Sequence, residues 1–362
     1  MIPLVKVGLP DRKVLMPALE KILYSGHIAE GDAVYQFEEQ FAEQFGLSVA
    51  LGMSSGTAAL HASLELAGVR PGDEVITTSM TAEPTNTSIL QVGAVPVFAD
   101  VDPDSGNLSP ESIRASITDK TKAILLVHYA GMPARLDEIV KIAGEHGIPL
   151  IEDCAHALGA RYAGAAIGTM GDFAIYSLQA IKHMTTVDGG VLTMRDHARL
   201  RQAKKFRWFG LEKGIPRTEV DITSIGYKYN MNNVSATIGT AQLLDINARV
   251  IDRHKENGRY FDSAIGRIPG LSVAAFDERA EPSYWLYTVL SDDSSDIERR
   301  LLDIGVTASK LHRPNHFHSI FKEYAGDLPN LDRYYRRMIH IPCGWWLSPE
   351  DRERIVDALK KG

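Results

Sequence analysis

Ile148-Pro149-Leu150-Ile151-Glu152-Asp153-Cys154-Ala155-His156 is an apolar run that closes on two carboxylates and a histidine. Its apolar part does not alternate with polar residues, so it reads as a short strand covered on both faces, with the acids at its carboxyl end. Runs of the same kind recur between residues 48 and 195: Val49-Ala50-Leu51, Glu74-Val75-Ile76, Val95-Pro96-Val97-Phe98-Ala99, Ala123-Ile124-Leu125-Leu126-Val127, Phe173-Ala174-Ile175-Tyr176 and Gly190-Val191-Leu192-Thr193. Helical patterns separate them, among them Gly56 to Ala67 and Leu136 to Glu145, the latter preceded by Pro133 and stopped by His146-Gly147. This alternation predicts an α/β chain with a mainly parallel sheet of about seven strands.

With 362 residues, 44% of them hydrophobic, the chain can bury a large domain and a smaller one. A helix is expected from Asn233 through Ala241-Gln242-Leu243 into Asp245, running on past Arg249 and Arg253 as a bridge. The expected division is therefore 1–245, with an N-terminal arm to about residue 15, and 246–362. In the second part Trp285 to Leu290 reads as a strand, Asp296 to Ile304 as a helix and Pro349 to Lys360 as a closing helix. A net charge of −7 and the lack of any Lys/Arg run argue against nucleic acid or an anionic membrane as partner, leaving small molecules. No stretch approaches the roughly 20 apolar residues of a membrane span, so a cytoplasmic protein is expected. The two cysteines, Cys154 and Cys343, are far apart and suggest no disulfide framework. Cys154, beside Asp153, reads either as a reactive thiol or as a small buried residue, and the second is expected. Without an HExxH or paired CxxC spacing, no protein-bound metal is expected.

Three segments carry chemistry. Gly52-Met53-Ser54-Ser55-Gly56-Thr57-Ala58-Ala59-Leu60 places small and hydroxyl residues between a strand and a helix, where backbone N–H groups and the Ser55 or Thr57 hydroxyl form a phosphate cradle. Asp153 ends a central strand, the place where α/β folds put ligand chemistry. Ser177-Leu178-Gln179-Ala180-Ile181-Lys182 then precedes a turn ending in Asp188-Gly189-Gly190. Singly, these are a helix cap, a strand-end acid and a solvated lysine. Together and in this order they suit pyridoxal phosphate (PLP): Lys182 supplies an amine for a Schiff base, and Asp153 an anion that keeps the pyridine nitrogen protonated. No Gly-x-Gly-x-x-Gly follows the first strand, which sets aside a dinucleotide-dependent dehydrogenase.

Over nearly its whole length the chain resembles the DegT/StrS-type nucleotide-sugar aminotransferases of PLP fold type I. The segments that carry the resemblance are Ser25-Gly26-His27-Ile28 through Gly31, Phe37-Glu38, Ser55-Gly56-Thr57-Ala58-Ala59-Leu60, Gly72-Asp73-Glu74-Val75-Ile76 and Ala99-Asp100-Val101-Asp102. They continue with Glu152-Asp153-Cys154-Ala155-His156, Gly168-Thr169-Met170-Gly171-Asp172, the Lys182 segment, and Gly226-Tyr227 through Leu243. The resemblance implies a large PLP-binding domain with a smaller C-terminal α/β domain, and a cofactor cycling through pyridoxamine phosphate. It implies that Lys182 carries the cofactor, Asp153 partners its pyridine nitrogen and His156 neighbours its ring or 3-oxygen. Ser55, Gly56, Thr57 and Ser177 would hold the phosphate. Asn230, with Lys228 as second choice, would reach the phosphate of the other subunit in a homodimer with shared active sites. L-Glutamate is the implied amino donor and a keto sugar, expected to be nucleotide-linked, the acceptor, in making amino sugars for surface polysaccharide or secondary metabolites. Glu83, His183, Lys310, His312 and Arg313 are the expected substrate contacts.

Three departures from the family pattern stand out: Ala82 with Glu83, the turn after Lys182, and the base cluster Lys310-Leu311-His312-Arg313-Pro314-Asn315-His316 in the C-terminal region that usually helps enclose the sugar nucleotide. Ala82 occupies a place commonly held by an aromatic ring that stacks on the cofactor, so another group covers that face or the pocket is wider. Glu83 beside it is either a substrate contact or a solvated loop residue. Thr186-Val187-Asp188 stands where glycine is commoner, before Gly189-Gly190. Two rival readings keep the scaffold. A sugar dehydratase would carry His at the position of Lys182 or an iron–sulfur cluster that two distant cysteines cannot ligate, and a non-catalytic regulator would be expected to show an appended DNA-binding module or basic stripe.

Overall fold

Seven short runs pair into one sheet in the computed structural model of the chain, which describes residues 1–361. They are β1 Leu51–Met53, β2 Glu74–Thr78, β3 Val95–Ala99, β4 Thr121–Val127, β5 Leu150–Asp153, β6 Phe173–Ser177 and β7 Gly190–Met194. Their order across the sheet is β1-β7-β6-β5-β4-β2-β3, with β7 antiparallel to both neighbours and every other pair parallel. The absence of polar alternation has a direct cause. Leu126, Leu150 and Tyr176 enter one core with Phe37 and Phe41, while their chain neighbours Leu125, Ile151 and Ile175 enter the opposite one with Leu60 and Leu64. Both faces are dry, as parallel sheets require. The first strand starts two residues later than its sequence suggests, because pairing with β7 begins at Leu51 opposite Leu192.

The expected bridging helix is Asn233–Leu243, continued by a π-helical turn Asn247–Ile251 into Asp252–Ile265. Ile246, Val250 and Ile251 still pack in the large core, and Phe261 and Ile265 belong to a second core. The change of core thus falls a few residues beyond the expected division at 245. That second core covers an antiparallel sheet of β8 Leu271–Val273, β9 Tyr287–Ser291 and β10 Met338–Ile341, with the helices Ser294–Asp303 and Pro349–Leu359 against it. The N-terminal arm is shorter than expected, since a helix begins at Arg12, and it lies on the second domain: Ile2 pairs with Gly305 and Thr307, and Trp346 Nε1 donates to the Pro3 carbonyl at 3.0 Å. Among the described residues no helix is long and apolar enough to cross a membrane.

Glu152 in β5 and Cys154 just past it are explained by their surroundings. Glu152, fully buried, accepts from the N–H groups of Gly168, Met170 and Gly171 at 3.0, 3.1 and 2.6 Å and from His128 Nε2 at 3.0 Å, pinning the turn that leads into β6. Cys154 is buried and free, and burial pushes its thiol pKa well up, the mark of the small packed residue expected from the sequence.

The second domain is sewn to the first at a turn with unusual backbone. Ala130 and Gly131 adopt φ of 56° and 91°. Their carbonyls accept from Leu286 N at 3.2 Å and Ser283 N at 3.0 Å. A Cβ on Gly131 would lie 2.7 Å from Trp285 N and 2.9 Å from the His156 carbonyl, so glycine is required both for its φ and for its lack of bulk. Gly131→Ala is accordingly expected to lower stability by about 2–4 kcal/mol, from left-handed strain plus overpacking. A denaturant midpoint unchanged from wild type would contradict this.

Candidate active site

Asp153 ends β5, and strand order places the residues around it. β4 lies on one side and β6 on the other, and the loops after β2 and β6 converge over its carboxylate. Only 3% exposed, Asp153 accepts from Ala155 N at 3.1 Å through Oδ1 and from Thr85 Oγ1 at 2.9 Å through Oδ2. Burial raises its carboxyl pKa; the two hydrogen bonds and the nearby Lys182 and His128 oppose that rise.

Lys182 follows β6 in an irregular loop, with Ile181 N bonded to the Gln179 side chain at 3.0 Å. Its Nζ lies 4.0 Å from the Trp285 ring centroid. The same indole donates to the Ile181 carbonyl at 2.9 Å, so one ring from the second domain fixes the backbone and rests against the amine. Burial lowers the Lys182 pKa to about 7, against the pull of the Asp153 carboxylate. His156 stacks on the same indole, 4.0 Å from Trp285 at an interplanar angle of 19°. Burial holds His156 well below its ordinary pKa and lowers His312 to about 4, so both rings are neutral at pH 7.

Asp153, His156, Lys182 and His312 line one cleft of about 360 Å³, within the range of small-molecule sites, with Trp285 packed behind them. Ser55, Gly56, Thr57, Glu83, Asp153, His156, Ser177, Lys182 and His312 all reach it, so the structure brings together most of the residues singled out from the sequence. Ser55 caps the helix Gly56–Leu66 through Ala58 N at 3.0 Å, and a Cβ on Gly56 would stand 3.1 Å from that of Ser177. At β7 a Cβ on Gly190 would lie 2.5 Å from the Ser55 carbonyl carbon, which explains the glycine at that position. Glu83 opens the helix Glu83–Gln91 with its carboxylate 3.6 Å from His318 Nε2. Val187 takes φ of 74°, so the departure at Thr186-Val187-Asp188 is a strained turn beside the site.

Three expected contacts, His183, Lys310 and Arg313, lie elsewhere, and Asn230, expected at the other subunit's site, lies outside its own chain's cleft. His183 points away from its neighbour Lys182 and is buried against the Ser283 carbonyl at 3.1 Å. Lys310 is a helix cap: its Nζ donates to the carbonyls of Tyr335 and Arg336 at the end of the helix Pro329–Arg337. Arg313 is exposed and packs over Phe317, with 5.6 Å to the ring centroid. Asn230 is buried beside β1 and accepts from Lys228 Nζ at 2.9 Å, outside this chain's cleft. The sequence reading missed Thr81, Thr85, Gln179 and Trp285. Thr81 and Thr85 carried one usable signal, hydroxyls four apart at a helix start; Trp285 carried none, being more than a hundred residues from Lys182.

The donor set fits PLP on the structure's own terms. An open helix start with three hydroxyls nearby suits a phosphate, a buried carboxylate without a bonded cation suits a pyridinium N–H, and an amine lowered to about 7 suits an aldehyde. His156 Nδ1 and His312 Nε2 are buried without a hydrogen-bond partner, polar atoms that a ligand would satisfy.

Comparison with known proteins agrees. Spore coat polysaccharide biosynthesis protein SpsC of Bacillus subtilis is 32% identical over 356 residues, covering 93% of this chain and 91% of its own. The sugar aminotransferase CalS13 of Micromonospora echinospora superposes with a TM-score of 0.96 at 34% identity over 100% of both chains. Spr1654 of Streptococcus pneumoniae, solved in PLP and PMP forms, superposes with TM-scores of 0.89 and 0.90 at 25% identity, over 98% of this chain and 97% and 98% of its own. Residues 11–360 match a single family model. The chain belongs to the DegT/DnrJ/EryC1/StrS aminotransferase family, whose members depend on PLP.

Proposed function

We propose that this enzyme transfers an amino group from L-glutamate to a nucleotide-linked keto sugar, in the cytoplasm, in the synthesis of amino sugars for surface polysaccharide or secondary metabolites. The observation that carries the reading is Lys182 and Asp153 in one cleft, the amine near neutrality and the carboxylate buried. Bound PLP supplies the electron sink that lets a C–H bond beside the transferred nitrogen ionise. The chain's own residues do the rest. Lys182 binds the aldehyde, and when released by substrate it takes and returns the proton. Asp153 holds the ring N–H, and the start of the helix at Gly56, with Ser55, Thr57 and Ser177, holds the phosphate. His156, stacked on the buried Trp285, shields the cleft wall from water. Glu83 and neutral His312 face the acceptor as hydrogen-bonding groups, with no fixed positive charge on the ring.

A homodimer with shared sites is part of the same proposal. Among the described residues lining the cleft, Lys182 is the single cation against the carboxylates of Glu83, Asp153 and Asp188. A phosphate and a dicarboxylate donor need more positive charge than that, and Lys228 with Asn230 of a second copy would bring it. Exposed apolar side chains near the Asn230 segment and on the first helix, Ile225 at 76%, Tyr24 at 87% and Leu23 at 52%, suit such an interface.

With glutamate alone the PLP-loaded enzyme should release about one equivalent of 2-oxoglutarate per site, as a ping-pong step demands, and a panel of UDP-, dTDP- and GDP-linked keto sugars should restore turnover. Absence of release without acceptor would count against the mechanism. Capture of PLP by the cofactor-free protein should accelerate with rising pH and level off above about 7, because the Lys182 amine must be neutral to attack. Stopped-flow absorbance between about pH 5.5 and 9 reads this, with Lys182→Ala as the control that borohydride cannot trap. Mixing inactive Lys182→Ala with inactive Asn230→Ala should recover roughly a quarter of wild-type activity, since half the dimers would hold one intact site. No recovery after subunit exchange would place Asn230 in its own chain's site or in none.

A further inference from the structure

The hydrogen bonds behind Asp153 have a fixed direction. A carboxylate only accepts, so the single proton of the Thr85 hydroxyl is committed to Asp153 Oδ2 at 2.9 Å. Thr85 Oγ1 also lies 2.9 Å from Thr81 Oγ1, and with its proton committed it can only accept there. Thr81 is the donor. The outcome is a one-way chain, Thr81 to Thr85 to Asp153, in which each bond polarises the next. Both threonines are shielded from water, at 1% and 2% exposure, so solvent does not replace either bond.

The chain is held from both domains. Asn315, on the segment that brings His312 to the cleft, donates to the Thr81 carbonyl at 2.9 Å and accepts from Asn86 Nδ2 at 2.8 Å. Asn86, one residue past Thr85, is saturated by the Thr78 carbonyl at 2.9 Å and the Thr77 hydroxyl at 3.0 Å. The backbone around both hydroxyls is thus fixed at each end.

We propose that Thr85, polarised by Thr81, is a positioning residue that keeps Asp153 ionised and aimed at the ring nitrogen of PLP. This rests on the reading of Asp153 as the partner of that nitrogen. A carboxylic acid in place of the carboxylate would lose its hold on a pyridinium. The charged or titratable groups facing Asp153 are Lys182 and His128, the latter bonded to Glu152. Burial raises the Asp153 pKa and the Thr85 hydroxyl opposes that rise, so removing the hydroxyl should move the acid-side loss of the carboxylate to higher pH.

The test separates donation from packing. Thr85→Val keeps the shape and removes the donor, whereas Thr85→Ser keeps the donor and removes a methyl group. Dissociation constants for PLP, measured by absorbance and by retention on dialysis of the reloaded holoenzyme, are compared between about pH 5.5 and 8.5. Thr85→Val should bind PLP about tenfold more weakly, the loss of one hydrogen bond to a charged group, with the gap widening as pH falls. Thr85→Ser should stay within about twofold of wild type. Equal binding by Thr85→Val at every pH, or equal weakness of the serine variant, overturns the inference. If Thr85→Val does not fold, Thr81→Val decides: weaker binding with the same pH trend supports the chain, and wild-type behaviour overturns it. A wild-type protein that takes up no PLP on Lys182 overturns the reading of the site itself, and the inference with it.

Discussion

Keeping a carboxylate ionised out of water, at the end of β5, is the constraint on which the rest of this molecule depends. The effective penalty for such a burial is several kcal/mol, and it is tolerable only where hydrogen bonds and opposite charge converge. Here the relief comes from three separate pieces of chain: Ala155 just past β5, Thr85 in the helix after β2, and Lys182 in the loop after β6. Those pieces meet because β2, β4, β5 and β6 are neighbours running the same way, so their carboxyl ends open on one edge. β7, running the other way, returns Gly190 against the Ser55 peptide and closes the wall where the phosphate would sit. Sheet order is therefore a chemical requirement as much as a packing solution.

The second domain takes part in the same arrangement. Trp285 anchors the Ile181 carbonyl and stacks on His156, and Asn315 holds the loop that carries Thr81. Trp285 is brought behind Lys182 and His156 because the chain at 283–286 is sewn to Ala130 and Gly131. Docking of the two domains and assembly of the site are thus one event. A substitution at the seam changes the site even though it touches no reacting atom.

This division explains what was legible in the sequence. Strands β2 to β7 showed as apolar runs because burial on both faces forbids polar alternation, and Val95–Ala99 has the expected ends. The motif residues Ser55, Gly56, Thr57, Asp153, His156, Ser177 and Lys182 share one cleft because each lies at the carboxyl end of a strand of one sheet or in the loop that follows it. Their neighbours in sequence do not all share it. His183 and Lys310 stand close to cleft residues in sequence, yet His183 is buried against the Ser283 carbonyl and Lys310 answers to helix carbonyls rather than to a ligand. Trp285 and the link from Asn315 to Thr81 join residues more than a hundred positions apart, with no periodicity to announce them.

The protonation states follow from the same burial. His156 and His312 would be the ordinary candidates for moving a proton near neutral pH, but dry surroundings hold both as neutral rings, His312 down to about 4. Asp153 is committed to its hydrogen bonds and is no free base. Lys182 is shifted the other way on the pH scale, from an ordinary ammonium to a group near 7, where an amine is available both to attack and to take a proton. Its position over the Trp285 ring is consistent with this balance, since the ring excludes water yet still tolerates a cation on its face. One environment thus takes two histidines out of acid–base chemistry and leaves the Lys182 amine near 7, which suits the proton-transfer role proposed for it.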